Sequence, residues 1–508
     1  MNATAVLPPP GQRRLILIAI ILGTILQVLD LSVATITLPH MQGSLSATQD
    51  QISWVMTTYM VAAVMMTPFT GALAGRIGRK RLLLISVVGF AVTSILVSQS
   101  TSLIEIVVLR FIQGAFAAAF MPVGQSTLLD IFPQEELALA MGWRSLGTMF
   151  GMSVGPVIGG YIVEFENWRW GFYINVPIAI AAFVMIYAFV PESSRRRDDP
   201  LNWFGFLMLA TGLGSLQFVL NRGQRMDWFD SGEIVVAAMF AAVGFYLFTV
   251  NSLVARRPFI DPSIFKDRTF VVGMILVFVF VWMMFSILVL MPAFLQDIRG
   301  FPIADVGKIM GVRAGATMFA SVIAGWLVQR SGSRRIIVLG LLCVACGEWQ
   351  MSLFTTDVDM TFILIANAFF GLGSGFAFVP LNVTSFWTLE PRHRGMAAGL
   401  FSLMTILGGS TGISIMITNL VRSAQSNRSV LVEYLTPYNE VLRHAPLPPG
   451  WSFDYPAGLS ILANEVQRQA MMIAYINDFR LLSFLTLMCV PLVYFMRRPN
   501  PKLPASGP

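Results

Sequence analysis

Two stretches decide the fold: Gly71-Ala-Leu73-Ala-Gly-Arg76-Ile-Gly78-Arg79-Lys80-Arg81 and Gly325-Trp-Leu327-Val-Gln-Arg330-Ser-Gly332-Ser-Arg334-Arg335. Glycine, leucine and basic positions correspond between them at a constant offset of 254. Each stretch is short and basic, and each separates two apolar blocks. Farther along, Gly114, Gly142, Gly151 and Gly155 find counterparts in Gly371, Gly399, Gly408 and Gly412 at an offset of 257. A chain that repeats itself over this distance has two halves on one plan. The blocks around the repeats set the environment. Of the 508 residues, 56% are hydrophobic and only 12% charged, about half the ~25% of an ordinary soluble domain. A soluble fold of this composition would expose large oily patches. Blocks of ~20 apolar residues instead match a ~30 Å hydrocarbon core, and helices satisfy their own backbone groups there. The blocks are rich in Gly, Ala and Pro and do not alternate, which argues against a β-barrel.

About fourteen such blocks are present, from 15–38 through 104–129, 137–163 and 335–354 to 480–496. The predicted fold is an all-α membrane protein. Residues 1–190 form a six-helix bundle, 191–268 hold two inserted helices, and 269–508 form a second six-helix bundle. The last carries a polar outside loop at 421–479 containing Pro446, Pro448 and Pro449. That loop reads equally as a small structured lobe or as loosely ordered chain. Basic residues set the orientation, because they are retained on the cytoplasmic side. With both termini inside, the inner segments collect Arg76, Arg79, Lys80 and Arg81, then Arg195 to Arg197, Arg256 and Arg257, Arg330, Arg334, Arg335, Arg392, Arg394, Arg497 and Arg498 among 21 of the 34 basic residues. Both basic stretches then lie inside, so the repeat is parallel, as in transporter halves that rock about a central site.

Topology therefore explains the net charge of +7, and no nucleic-acid partner is expected. Arg13-Arg14 precedes an apolar stretch too long for a signal-peptide core, so the first span is read as uncleaved. Cys343, Cys346 and Cys489 lie in apolar segments without neighbouring ligand residues and read as ordinary buried cysteines rather than a redox or metal site. Neither a G-x-x-x-x-G-K-[ST] stretch nor an H-E-x-x-H is present. No enzyme activity, metal or cofactor is expected, and the driving force would be an ion gradient.

Asp30, in Gln27-Val-Leu-Asp30-Leu-Ser32, is the focal charge. Carboxylates inside membrane spans are costly, rare and turned away from lipid. A carboxyl that is charged at one stage of a cycle and neutral at another carries a proton. Arg110 is its expected partner. Asp30 lies ~22 Å along an outward-running helix and Arg110 ~9 Å down an inward-running one, so they meet at one level of a ~30 Å core. The competing reading is a fixed ion pair that staples two helices. Gly151-x-x-x-Gly155-Pro156-x-x-Gly159-Gly160 is a packing motif, since glycines four apart let helices approach closely and proline kinks the backbone. Gln27, Gln113, Gln125, Arg144 and Asn382 are candidates for lining a substrate cavity, with helix–helix hydrogen bonding as the alternative; Arg313 and Glu348 are further polar residues inside spans.

These residues together resemble the major facilitator superfamily, over about 12–500, and most closely its fourteen-span drug:proton antiporter branch of EmrB type. Leu29-Asp30 through Leu38-Pro39 is similar to that branch's first-span motif, and Gly71 to Arg81 to the superfamily's loop motif. Arg110, Gln113 and Gly114 resemble the span-four motif, Gly151 to Gly160 the antiporter motif, and Trp168-Arg169-Trp170 through Asn175-Val-Pro177 a further branch feature. The resemblance implies export of lipophilic or cationic drugs in exchange for protons across a bacterial inner membrane. Asp30 and Arg110 would carry the coupling, and Gly71, Arg76, Gly78 and Arg79 a latch or hinge between halves. One departure stands out: the loop motif usually has an acid where this chain has Gly75, which questions the usual charge latch. EmrB-type pumps work with a periplasmic membrane-fusion adaptor and an outer-membrane channel, whereas QacA-type relatives work alone; both arrangements stay open. So do two alternatives, export of one physiological solute (a fatty acid, siderophore or bile salt) and a non-transporting scaffold or sensor.

Overall fold

The structure, a computed structural model, describes residues 8–192, 202–390, 393–436 and 455–496. Arg195 to Arg197, Arg392, Pro446, Pro448, Pro449, Arg497 and Arg498 lie outside them. Among the described residues the secondary structure is all helical. The first half contains α1 (Pro10–Ser44), α2 (Trp54–Ile77), α3 (Arg79–Gln99), α4 (Leu103–Ile131), α5 (Gln134–Phe165) and α6 (Asn175–Phe189). The inserted pair is α7 (Trp203–Arg222) and α8 (Gly232–Val254). The second half contains α9 (Arg268–Ala293), α10 (Ile303–Ser331), α11 (Ser333–Met351), α12 (Met360–Thr384), α13 (Arg394–Tyr434) and α14 (Pro456–Tyr494). Among the described residues, 12 helices are long and apolar enough to cross a membrane; α5 and α11, packed among them, complete the expected fourteen.

The halves pack on one plan. In the first, α1 lies against α5 and α2 against α4; in the second, α9 lies against α13 and α10 against α12. They meet along two matching seams, α2 with α13 and α5 with α10. Glycines set the closeness of both. A Cβ on Gly71 would stand 2.9 Å from the Gly395 carbonyl, and one on Gly325 would stand 2.9 Å from the Leu139 Cα. Gly78 and Gly332, the turn glycines of the two basic stretches, have φ of 93° and 82°, a region that costs other residues dearly. The sequence repeat is thus a repeat of backbone conformation. The inserted helix α7 packs on α2 and reaches the second half, where Gln217 donates to Ser410 Oγ at 2.7 Å. Large apolar side chains such as Ile85, Val88, Phe240, Val243 and Tyr246 point outward, as a lipid-facing surface requires.

Of the two readings left open for the 421–479 region, the described residues show the structured one. Helix α13 continues through it to Tyr434, and α14 begins at Pro456 rather than near 480. Fourteen residues past the expected membrane exit carry α13 ~21 Å further. The two extensions form a hairpin that buries Ala424, Leu462, Val466 and Ala470, and Asn427 donates across it to the Ala470 carbonyl at 3.4 Å. Polar residues interrupt its apolar ones along both helices, so the segment reads as polar although it folds as helix.

Candidate functional site

Asp30 sits mid-way along α1, and the α5 glycines hold that helix in place. Cβ atoms on Gly151 and Gly159 would meet Ile25 and Ile36 of α1 at 3.6 and 3.2 Å, and one on Gly155 would collide with the Ser32 side chain. Gly160 faces open space, and Pro156 lies between these contacts in the helix backbone. The close approach along one face explains the four-residue glycine spacing.

The Asp30 carboxylate is 1% exposed and receives three donors. Arg110 Nη1 donates to Oδ2 at 2.6 Å, Asn175 Nδ2 to Oδ1 at 2.7 Å, and Gln113 Nε2 to Oδ1 at 3.3 Å. Ser94 Oγ accepts from Gln113 at 2.7 Å and from Asn175 at 3.2 Å, tying α3 into the cluster. Arg110 is 0% exposed. It also donates to Gln113 Oε1 at 2.8 Å and to the Val55 carbonyl at 3.3 Å, and it lies over the Tyr59 ring at 4.3 Å. Five helices, α1, α2, α3, α4 and α6, thus converge on one carboxylate. A buried ion pair is tolerated when its geometry is good and its remaining polar atoms are bonded. This one has further polar groups to spare: the Tyr59 hydroxyl and Asn175 Oδ1 are buried without a partner among the described residues.

The expected cavity residues separate. Gln113 belongs to the carboxylate cluster rather than a cavity, because it follows Arg110 by three residues and shares its helix face. Gln27, one turn before Asp30, is 7% exposed and keeps its Oε1 without a partner among the described residues. Gln125 and Asn382 meet each other across the halves, Nε2 to Oδ1 at 3.4 Å. Arg144 on α5 is 7% exposed, and its Nη1 is buried without a partner among the described residues. Ser94, Tyr59 and Asn175 belong to the cluster without a mark of their own in the sequence. A serine or tyrosine in a span carries no signal of its own, and Asn175 stood out only within the Asn175-Val-Pro177 resemblance.

At the end carrying the basic loops, Asp130 closes α4 and bridges the halves. Arg79 Nη1 reaches Asp130 Oδ2 at 2.5 Å, and Arg394 Nη1, at the start of α13, reaches Oδ1 at 3.3 Å and the Leu129 carbonyl at 3.1 Å. Arg76 sits half-buried in the last turn of α2, where a cation suits the helix dipole. Around Gly75 there is open space. The missing acid therefore leaves a charge contact between halves in place, supplied from α4.

The profile of the Major Facilitator Superfamily matches residues 20–413. The "Multidrug export protein EmrB" of Escherichia coli K12 is 30% identical over 493 residues, covering 95% of either chain. The "Fatty acid resistance protein FarB" of Neisseria gonorrhoeae is 28% identical over 94% of this chain and 95% of its own. Among solved structures, the human organic anion transporter MFSD10 superposes with a TM-score of 0.60 at 14% identity, over 94% of this chain and 100% of its own. The proton:xylose symporter XylE bound to a sugar analogue gives 0.59 at 13% identity, over 95% and 96%.

Proposed function

The chain belongs to the major facilitator superfamily and to its EmrB-like branch, and on that premise we propose that it exports amphipathic drugs or toxic lipophilic compounds in exchange for protons, by alternating access across a bacterial inner membrane. Both termini then face the cytoplasm, and the basic end of the bundle is the inner one. The observation that carries the proton reading is the Asp30 cluster. A carboxylate at a five-helix junction, with its cation 2.6 Å away, gains or loses its charge as the helices shift and the pair separates. The Asp130 contacts would hold the inner ends together in the conformation seen, and breaking them would open the cavity to the cytoplasm. Such a pump needs neither a nucleotide nor a metal, and the family points to a transporter rather than an enzyme.

The α13–α14 hairpin projects beyond the outer face and exposes Val430, Val432, Tyr434, Leu459 and Ile461. We assign it as the contact for a periplasmic adaptor, itself joined to an outer-membrane channel. One observation favours a second reading, export of a single physiological amphiphile such as a fatty acid. Arg144 is a buried guanidinium with a donor to spare, which suits an anionic head group, and one relative is named for fatty acid resistance.

Uptake of a lipophilic dye by everted vesicles tests the antiport. Wild type should move dye when a pH gradient is imposed and stop when it is collapsed. Asp30→Asn, expressed equally, should fall to the level of vesicles lacking the protein; gradient-driven transport at the wild-type rate by Asp30→Asn would sink the proposal.

A further inference from the structure

The repeat places a second carboxyl at the counterpart of the Asp30 junction. At the offset of 254, Ser94 of α3 corresponds to Glu348 of α11. In the first half, α1, α3 and α6 bring together Asp30, Ser94 and Asn175. In the second half, the corresponding helices α9, α11 and α14 bring together Met283, Glu348 and Thr486. The acid has moved from the first helix of its half to the third. At the offset of 257, Arg110 corresponds to Asn367 and Gln113 to Phe370, so the cation and the amide are gone.

Glu348 is 0% exposed, and no ion pair to it forms among the described residues. The titratable groups on the helices around it are few. On α14, Cys489 lies one turn beyond Thr486, Asp478 and Tyr475 lie ~12 and ~16 Å toward the outer end, and Arg480 points outward. On its own helix, Cys343 and Cys346 are thiols and Arg334 and Arg335 are ~20 Å away. Helix α9 offers only Arg268 at its inner end and α12 offers none; the nearest α10 cation, Arg313, lies over Phe370 of α12. No positive charge therefore compensates a carboxylate here, and burying one uncompensated is strongly unfavourable.

The hydrogen-bond geometry allows a protonated acid, with the Thr486 hydroxyl proton shared between two possible acceptors. Thr486 Oγ1 lies 2.5 Å from Glu348 Oε2 and 3.0 Å from the Leu482 carbonyl. A hydroxyl has one proton to give. If Thr486 gives it to Leu482, the contact with Glu348 forms only when the carboxyl supplies its own. Glu348 Oε1 has no partner among the described residues, as suits the carbonyl oxygen of an acid.

We propose that Glu348 is a second proton-binding site, occupied in this conformation, so that the two halves hold their carboxyls in opposite states: Asp30 ionised against Arg110, Glu348 protonated against Thr486. This rests on the proton-coupled reading above. Glu348 lies ~22 Å from the inner end of α11, the same distance as Ser94 of the Asp30 junction from the inner end of α3. When rocking admits water to the junction, the O–H bond breaks, the proton passes to water, and the carboxylate is left negative until it is reprotonated from the opposite side.

Infrared spectroscopy of the purified full-length protein in lipid tests occupancy, and vesicle transport tests use. At neutral pH, a protonated-carboxyl stretching component present in wild type and in Asp30→Asn should vanish in Glu348→Gln and shift in Thr486→Val. Glu348→Gln should also exchange one proton fewer per substrate and change the pH profile of transport. An unchanged component in both Glu348→Gln and Thr486→Val overturns the proposal. So does its loss with wild-type proton count and pH profile, which would make Glu348 a structural acid. If wild type shows no gradient-driven transport, the antiport reading fails, and the infrared component still decides whether Glu348 holds a proton.

Discussion

The two polar junctions of this molecule are built on the same three-helix scaffold and solve opposite problems. In the first half, Asp30 is buried with a guanidinium and two amide donors. In the second, Glu348 is buried with one hydroxyl and a methionine for company. The backbone plan is shared down to the positive φ of Gly78 and Gly332, so the difference lies in side chains. A scaffold that keeps its helices and exchanges the charges around one carboxyl can hold the two acids in different protonation states at one membrane depth. That asymmetry is what an exchanger needs if protons and substrate are to use the halves unequally.

The largest expected effect tests the charged side of this comparison. Arg110→Ala leaves Asp30 buried and unpaired, and breaking a buried pair in this way costs about 3–5 kcal/mol. Thermal unfolding of the purified protein should drop accordingly, and transport should be lost. Asp30→Asn together with Arg110→Gln should recover much of the stability without transport, because the site is then neutral and still hydrogen-bonded. The corresponding change in the second half, Asn367→Ala, removes a side chain that, among the described residues, bonds only to its own helix at Ile363 and should change little. Equal losses from Arg110→Ala and Asn367→Ala would erase the distinction drawn between the junctions.

A smaller effect tests whether the halves meet as equals. Gly71→Leu forces a side chain against the Gly395 carbonyl, and overpacking of this kind costs about 1–3 kcal/mol. Gly325→Leu should do the same against Leu139. Gly75→Leu, four residues along α2, faces open space and should leave stability and transport near wild type. Unfolding midpoints and dye export measured on the three variants would show whether both seams are tight or only one.

How much of this was legible in the sequence varied with the kind of signal. Hydrophobic blocks and the 254-residue repeat carried the architecture, because membrane spans and turn glycines leave strong one-dimensional marks. Helix rise alone placed Asp30 and Arg110 at one level, and they lie 2.6 Å apart. The partners Ser94 and Asn175 were not legible, since small polar residues in a span take their meaning from neighbours on other helices. The hairpin was legible only as one of two readings, a small structured lobe, because interspersed polar residues hid the continuity of its helices. The Gly75 departure misled in a useful way. It pointed to a missing latch, while the carboxylate that meets Arg394 belongs to Asp130, 55 positions on and on another helix.

The smallest expected effect concerns that latch, and it sharpens the comparison by asking whether the two seams open together. Asp130 is about one-third exposed, with side-chain accessibility of 34%, so its pairs with Arg79 and Arg394 are worth only about 0–1 kcal/mol in screening solvent. Asp130→Asn should therefore leave the unfolding midpoint nearly unchanged. It should still shift the conformational balance, since even 1 kcal/mol changes a two-state ratio about fivefold. The shift should favour opening at the basic end of the α2–α13 seam, where Asp130 joins α4 to α13, more than at the α5–α10 seam. Thiol labelling of cysteines placed singly at Leu73 and at Leu327, the matching positions of the two basic stretches, would read the two seams separately in a background lacking Cys343, Cys346 and Cys489. Faster labelling at Leu73 alone would mean the seams part independently, whereas equal acceleration at both would mean the halves rock as rigid bodies and the Asp130 latch acts on the whole interface.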